Sequence, residues 1–169
     1  MGLDNMPTAY PCRTGNTAVL TPILDKEGKA YLEEDGSVST RVDCGATQAA
    51  GGCPYKNARR QDGMDSGEVH GMFGTDCWYR GKYGNYLLEA IGYGDSDEFS
   101  FYGDSEDGTE KSKGSCLTLA QVIDEAFDEC DEEDGVYRMG GEDISPDLRY
   151  ASWYLKWAAE HADGLICWY

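Results

Sequence analysis

Residues 18–43 hold three short β-prone runs split by polar and glycine turn residues, and an apolar stripe of helical period follows after residue 115. The first stretch predicts a β-hairpin or meander. Residues 18–24 (AVLTPIL) form a strand candidate, with Pro22 suiting a sheet edge because it has no N–H to donate. Residues 29–32 and 37–42 supply two more strands, joined by an Asp35-Gly36 turn signal. Residues 44–77 are rich in small side chains and read as a loop region holding Cys44, Cys53, Cys77 and His70. From Gly81 to Ile91, Tyr83, Tyr86, Leu87 and Ala90 recur at helical spacing, and Gly92 and Gly94 stop that helix.

Further on, residues 98–102 alternate like a short strand, and the acidic, glycine-containing run 103–115 reads as a mobile loop. Thr118 with Gln121 forms a capping box. Behind it Leu119, Val122, Ile123, Ala126, Phe127 and Cys130 make one apolar face. Ser145 as N-cap, Pro146 at the first helical position and Asp147 in the first turn open another helix. Its stripe runs through Leu148, Ala151, Leu155, Ala158, Ala159 and Ala162 until Gly164 closes it. Residues 165–169 are apolar to the end and predict a terminal strand or extended plug. The sum is an α+β class: one loop-rich domain over 1–169, with a small mixed or antiparallel sheet and about three helices.

Composition supports a folded chain. Of 169 residues, 40% are hydrophobic, including twelve Tyr and four Trp, too many apolar groups for wholesale disorder. The 22 Gly favour turns. No apolar run approaches the ~20 residues of a membrane span, and the first residues lack the basic and apolar blocks of a signal peptide. The expectation is a soluble, cytoplasmic protein.

Charge changes the picture most. The formal net charge is −18. Between residues 95 and 147 there are 18 Asp/Glu against only Lys111, Lys113 and Arg138, a local excess of 15. Residues 1–94 carry 12 acids and 9 bases, and the last 22 residues carry two of each. Such a field repels nucleic acid and anionic membrane surfaces and suits a basic protein surface. Asp124, Glu125, Asp128 and Glu129 lie opposite the apolar helix face, followed by Asp131 and Glu132, and these six are the candidate partner-binding residues. Acids late in a helix oppose its dipole, and like charges four apart repel, so stability alone does not favour them. A solvated, solubilising face is the competing reading. A calcium loop fails in register: with Gly135 as the turn glycine, position 1 falls on Cys130 and position 12 on Gly141.

Seven cysteines leave an odd thiol, so a complete set of intrachain disulfides is impossible. Cys12, Cys44, Cys53 and Cys77 could hold one structural zinc, because four thiolates close a tetrahedron. Their spacing lacks any C-x₂-C pair, and buried free thiols are the alternative. Cys116, Cys130 and Cys167 read as core residues. No catalytic set is assigned, since His70 and His161 are the only histidines available to activate a nucleophile. His70, Arg80, Lys82 and Tyr83 form an alternative ligand-binding group. With Lys56, Arg59 and Arg60 they make the only basic neighbourhood, which reads either as an internal counter-charge or as a small anion site.

Three segments carry a resemblance: Met1-Gly2-Leu3-Asp4, Val69-His70-Gly71-Met72-Phe73 and Cys77-Trp78-Tyr79-Arg80-Gly81-Lys82. Together they resemble a group of small bacteriophage proteins that begin Met-Gly-Leu-Asp. The resemblance covers the first half of the chain and implies a phage accessory protein made in the host bacterial cytoplasm. It brings no active residues with it. The leading expectation is a non-enzymatic accessory protein that presents an acidic surface to a basic host or phage partner, with nucleic-acid mimicry as one version. A small-ligand binder or enzyme around residues 70–83, and a virion component, are the alternatives.

Overall fold

We describe the protein from a computed structural model covering residues 3–53, 72–73, 79–81, 85–94, 99–129 and 135–168. The chain divides into two compact units, Pro11–Asn57 and a larger one made of Met1–Tyr10 with Ala58–Tyr169. The class is α+β, with small antiparallel sheets and five helices among the described residues.

The larger unit is built on a five-stranded antiparallel sheet. Its strands are β1 (Leu3–Pro7), β4 (Met72–Phe73), β5 (Tyr79–Gly81), β6 (Glu110–Ser112) and β9 (Gly164–Trp168), in the order β4-β5-β1-β9-β6. The terminal segment is therefore a strand, and it lies between β1 and β6. Asn5 faces Cys167 on one side of it and Lys111 faces Leu165 on the other. Gly164 (φ 109°) lets the chain enter β9 against β6, because a Cβ there would collide with the Lys111 carbonyl.

Two long helices cover this sheet: α4 (Lys113–Asp128) and α5 (Ser145–His161), which pack on each other and on β9. The short α3 (Tyr86–Ala90) adds buried Leu87 and Leu88. From α4, Cys116, Leu119, Ala120 and Ile123 are buried, while Val122, Ala126 and Phe127 are half-buried. The expected α5 stripe is buried throughout. Tyr150, Tyr154 and Trp157 are buried as well, so α5 is the most enclosed helix described. Arg149 sits 4.0 Å from the centre of the Phe127 ring, and the Tyr137 hydroxyl donates to the Ala126 carbonyl at 2.6 Å, fastening the end of α4. A two-residue hairpin, β7 (Arg138–Met139) with β8 (Glu142–Asp143), precedes α5.

In the smaller unit, β2 (Leu20–Pro22) pairs directly with β3 (Thr40–Val42), so the first and last expected strands form a hairpin, and residues 29–32 enter through bridges at Leu24–Ala30 and Leu32–Val38 and not as the middle strand of a meander. The Asp35-Gly36 turn forms, with Gly36 at φ 83°. The unit also holds α1 (Pro11–Thr14) and α2 (Cys44–Ala49).

Several expectations are corrected. Residues 44–49 are helical, because Asp43 caps their first turn by accepting from the Ala46 N–H at 2.9 Å. Run 103–115 is a turn, the strand β6 and the start of α4. The Thr118–Gln121 capping box does not operate, since α4 begins six residues earlier than that box requires, with Ser112 as its cap. Ser145 is the first residue of α5 and not its cap, and its hydroxyl accepts from the Tyr137 N–H at 2.8 Å. Residues 99–102 form bends and not a strand.

Candidate functional site

The six acidic candidates divide. Asp124, one turn before the end of α4, faces α5 and accepts from the Ser152 hydroxyl at 2.6 Å and from the Lys156 ammonium. It is an interhelical tie and not a free docking charge. Glu125 is exposed and accepts from the Gln121 amide, at 2.6 Å, and from no other donor among the described residues. Asp128 and Glu129 are exposed at the C-terminal end of α4, and their carboxylates make no hydrogen bond or ion pair among the described residues. Asp131 and Glu132 lie outside the described residues. The α4 dipole places partial negative charge where Glu125, Asp128 and Glu129 add full charges, and no basic side chain stands in its last turn.

At the other end of α4 lies a cluster that sequence reasoning missed. Lys111, in the middle of β6, is only 4% exposed. Its ammonium donates to Asp104 Oδ1 at 2.9 Å, and the Ser112 N–H donates to Asp104 Oδ2 at 3.0 Å. Burial pushes the Asp104 carboxyl up, but hydrogen bonds from Ser115, Lys111 and Ser112 hold it below its usual range. A carboxylate at the start of a 16-residue helix also complements the dipole. The 103–109 turn that delivers Asp104 is tied by Asp107, which accepts from Ser105 and Thr109 and whose carboxyl is lowered to about 2. That turn covers the outer edge of β6: the N–H groups of Asp104 and Ser105 donate to the Glu110 carbonyl.

Two clefts share Asp104, Lys111 and Ser115. One of about 390 Å³ is walled by Phe99, Thr118 and Leu119, and another of about 380 Å³ by Glu110, Ser112 and Asp163. Behind them sit two buried thiols. Burial pushes Cys116 up to about 12 and Cys167 up to about 11, and Cys167 Sγ donates to Asn5 Oδ1 at 3.2 Å. Both are inert core thiols, as expected of them. Cys130 lies outside the described residues.

Of the zinc candidates, Cys12 is buried in α1, Cys44 opens α2 and Cys53 is half-buried; Cys77 lies outside the described residues. Burial raises the Cys12 thiol, and the nearby Cys53 raises it further, so these two share one neighbourhood. No group of three or more His, Cys, Asp or Glu side chains is placed to hold a metal ion among the described residues. For the alternative ligand group, Arg80 lies in β5, paired across from Asp4 and Met72, while His70, Lys82 and Tyr83 lie outside the described residues, as do Lys56, Arg59 and Arg60.

No helix among the described residues is long and apolar enough to cross a membrane. No protein-family model, curated protein or solved structure matches this chain.

Proposed function

We propose that this is a non-enzymatic interaction protein whose acidic face, at the C-terminal end of α4, meets a basic surface on a partner protein. The observation that carries the reading is the state of Asp128 and Glu129. They are exposed, with carboxylates unpaired among the described residues, at the helix end where negative charge is least stable. Glu125 stands four residues before Glu129 and adds like-charge repulsion. Residues 131–134 (DEED) follow in sequence and extend the negative run. A phage accessory role in a bacterial cytoplasm is consistent with the resemblance of the first half of the chain.

Capture from bacterial lysate tests the reading. The wild-type chain is expected to retain a basic partner that Glu125→Gln/Asp128→Asn/Glu129→Gln loses. An unchanged set of captured proteins contradicts the reading. A second reading, a small-ligand protein, draws on the clefts beside Lys111 and Asp104, where an ammonium, a carboxylate and serine hydroxyls converge. It predicts ligand-dependent protection of that region and indifference to the α4 acids.

A further inference from the structure

The smaller unit presents a sheet face that its own described residues leave largely exposed. Nine large hydrophobic side chains are exposed among the described residues, and seven of them fall between Val19 and Val38. The register explains why. Side chains of directly paired residues share a face, as do alternate residues along a strand. Leu20 pairs with Val42, Pro22 with Thr40, Leu24 with Ala30 and Leu32 with Val38, so these eight point to one side of the sheet and include four of the seven exposed side chains, while Val19, Ile23 and Tyr31 alternate to the other side. These eight side chains are uncharged, and the Arg13 guanidinium meets them at one end, donating to the Thr40 hydroxyl at 3.4 Å. Leu24 is 55% exposed and Leu32 61%, values found at surfaces that await a second layer. Sheets with one apolar face are closed by a helix or a second sheet, and within this unit α1 and α2, of four and six residues, leave the outer half of the face open.

Charge at the rim decides between occupants. The two turns beside the face hold Asp25, Glu27, Glu33, Glu34 and Asp35 against Lys26 and Lys29. A second copy would bring the same negative rim and a further formal charge of −18, which disfavours self-association. We infer that this face docks an amphipathic helix of another protein, apolar on one side and flanked by lysine or arginine. The run from Leu20 to Leu24 extends roughly 16 Å, which a helix of about 11 residues would span. This inference stands on its own observation and does not draw on the acids of α4.

The test uses the full chain and a synthetic helix of about 12 residues, leucine on one face and lysine on its margins, with a photo-crosslinker among the leucines. Crosslinks are expected within residues 19–42. Leu24→Ser/Leu32→Ser is expected to weaken binding about tenfold or more. Both positions are exposed, and circular dichroism checks that the variant remains folded. Glu125→Gln/Asp128→Asn/Glu129→Gln is expected to leave the affinity within about twofold. The inference is overturned if crosslinks fall elsewhere, or if a glutamate-margined peptide binds equally. It is also overturned if the double serine variant binds like wild type, or if that variant dissolves a homodimer seen by native mass spectrometry. Loss of binding on neutralising the α4 acids alone would overturn it while leaving the proposed function standing.

Discussion

The ammonium of Lys156 on α5 grips the carboxylate of Asp124 on α4, and the buried Ser152 hydroxyl donates to the same carboxylate at 2.6 Å. This relationship separates Asp124 from the acids that follow it. Removing the carboxylate leaves the buried Ser152 hydroxyl with its longer bond to the Ala120 carbonyl, at 3.4 Å, and returns the half-exposed Lys156 ammonium to solvent, so Asp124→Ala is expected to lower stability by about 1 kcal/mol. Denaturant unfolding measures the loss. An Asp124→Ala variant as stable as wild type contradicts the role of an interhelical tie.

Glu125→Gln/Asp128→Asn/Glu129→Gln should act in the opposite direction. Relief of dipole opposition and like-charge repulsion is expected to raise stability by about 1 kcal/mol at low salt, and by less at high salt. Thermal melts at two ionic strengths check both the sign and the screening. A gain in stability together with a loss of binding would mark these acids as kept for contact and not for folding.

Lys111 and Asp104 predict a stability cycle. Asp104→Ala leaves an ammonium that is 4% exposed without its partner. Because Asp104 itself is partly solvated, the expected loss is on the order of 2 kcal/mol and not the full penalty of a fully buried pair. Lys111→Met alone removes the charge but keeps much of the stem's packing. The double variant Asp104→Ala/Lys111→Met is expected to lose less than the two single losses combined. Additive losses contradict the coupling. The lowered Asp104 carboxyl gives the matching acid response: its contribution is present above the unfolded carboxylate range and disappears as pH falls through its lower folded value.

The buried thiols set an alkaline limit. Cys116 is raised from 9.0 to about 12, and Cys167 to about 11. Between those values the unfolded chain loses thiol protons that the folded chain keeps, so stability falls as pH rises above about 9, by up to about 1.4 kcal/mol per pH unit per thiol. Below the unfolded value the contribution is fully present. Urea midpoints across this window, compared with Cys116→Ala, are expected to show a shallower decline in the variant. Parallel slopes contradict the assignment. In the native state, Cys116 and Cys167 should also alkylate more slowly than half-buried Cys44 and Cys53.

The parts of this fold legible in sequence were those where one physical period dominates. The α5 stripe, the apolar side of α4 and the terminal strand all follow from burial of a single face, and the hairpin of residues 20–42 from its β-prone runs and turn residues. What escaped were elements whose side chains contradict their position. β1 contains Asp4 and Asn5, both buried: Asn5 accepts from Cys167 through its side chain and from the Tyr154 hydroxyl through its carbonyl. β6 is Glu-Lys-Ser, which reads as loop because charge masks a strand that pairs only with β9. Lys111 had no sequence signal for burial, since its counter-ion Asp104 is supplied by a turn seven residues earlier. The start of α4 was misplaced because Ser112 and Ser115 perform the capping that Thr118 and Gln121 imitate in sequence. The division of the acidic candidates was equally invisible. Asp124 and Asp128 differ only in what α5 places beside them.

The most direct test is the salt dependence of affinity for the captured basic partner, titrated with wild type and with Glu125→Gln/Asp128→Asn/Glu129→Gln. A contact made by these carboxylates predicts a steep fall in wild-type affinity as salt rises, and a markedly flatter, weaker response in the variant. Equal affinities and equal slopes for the two proteins would contradict it.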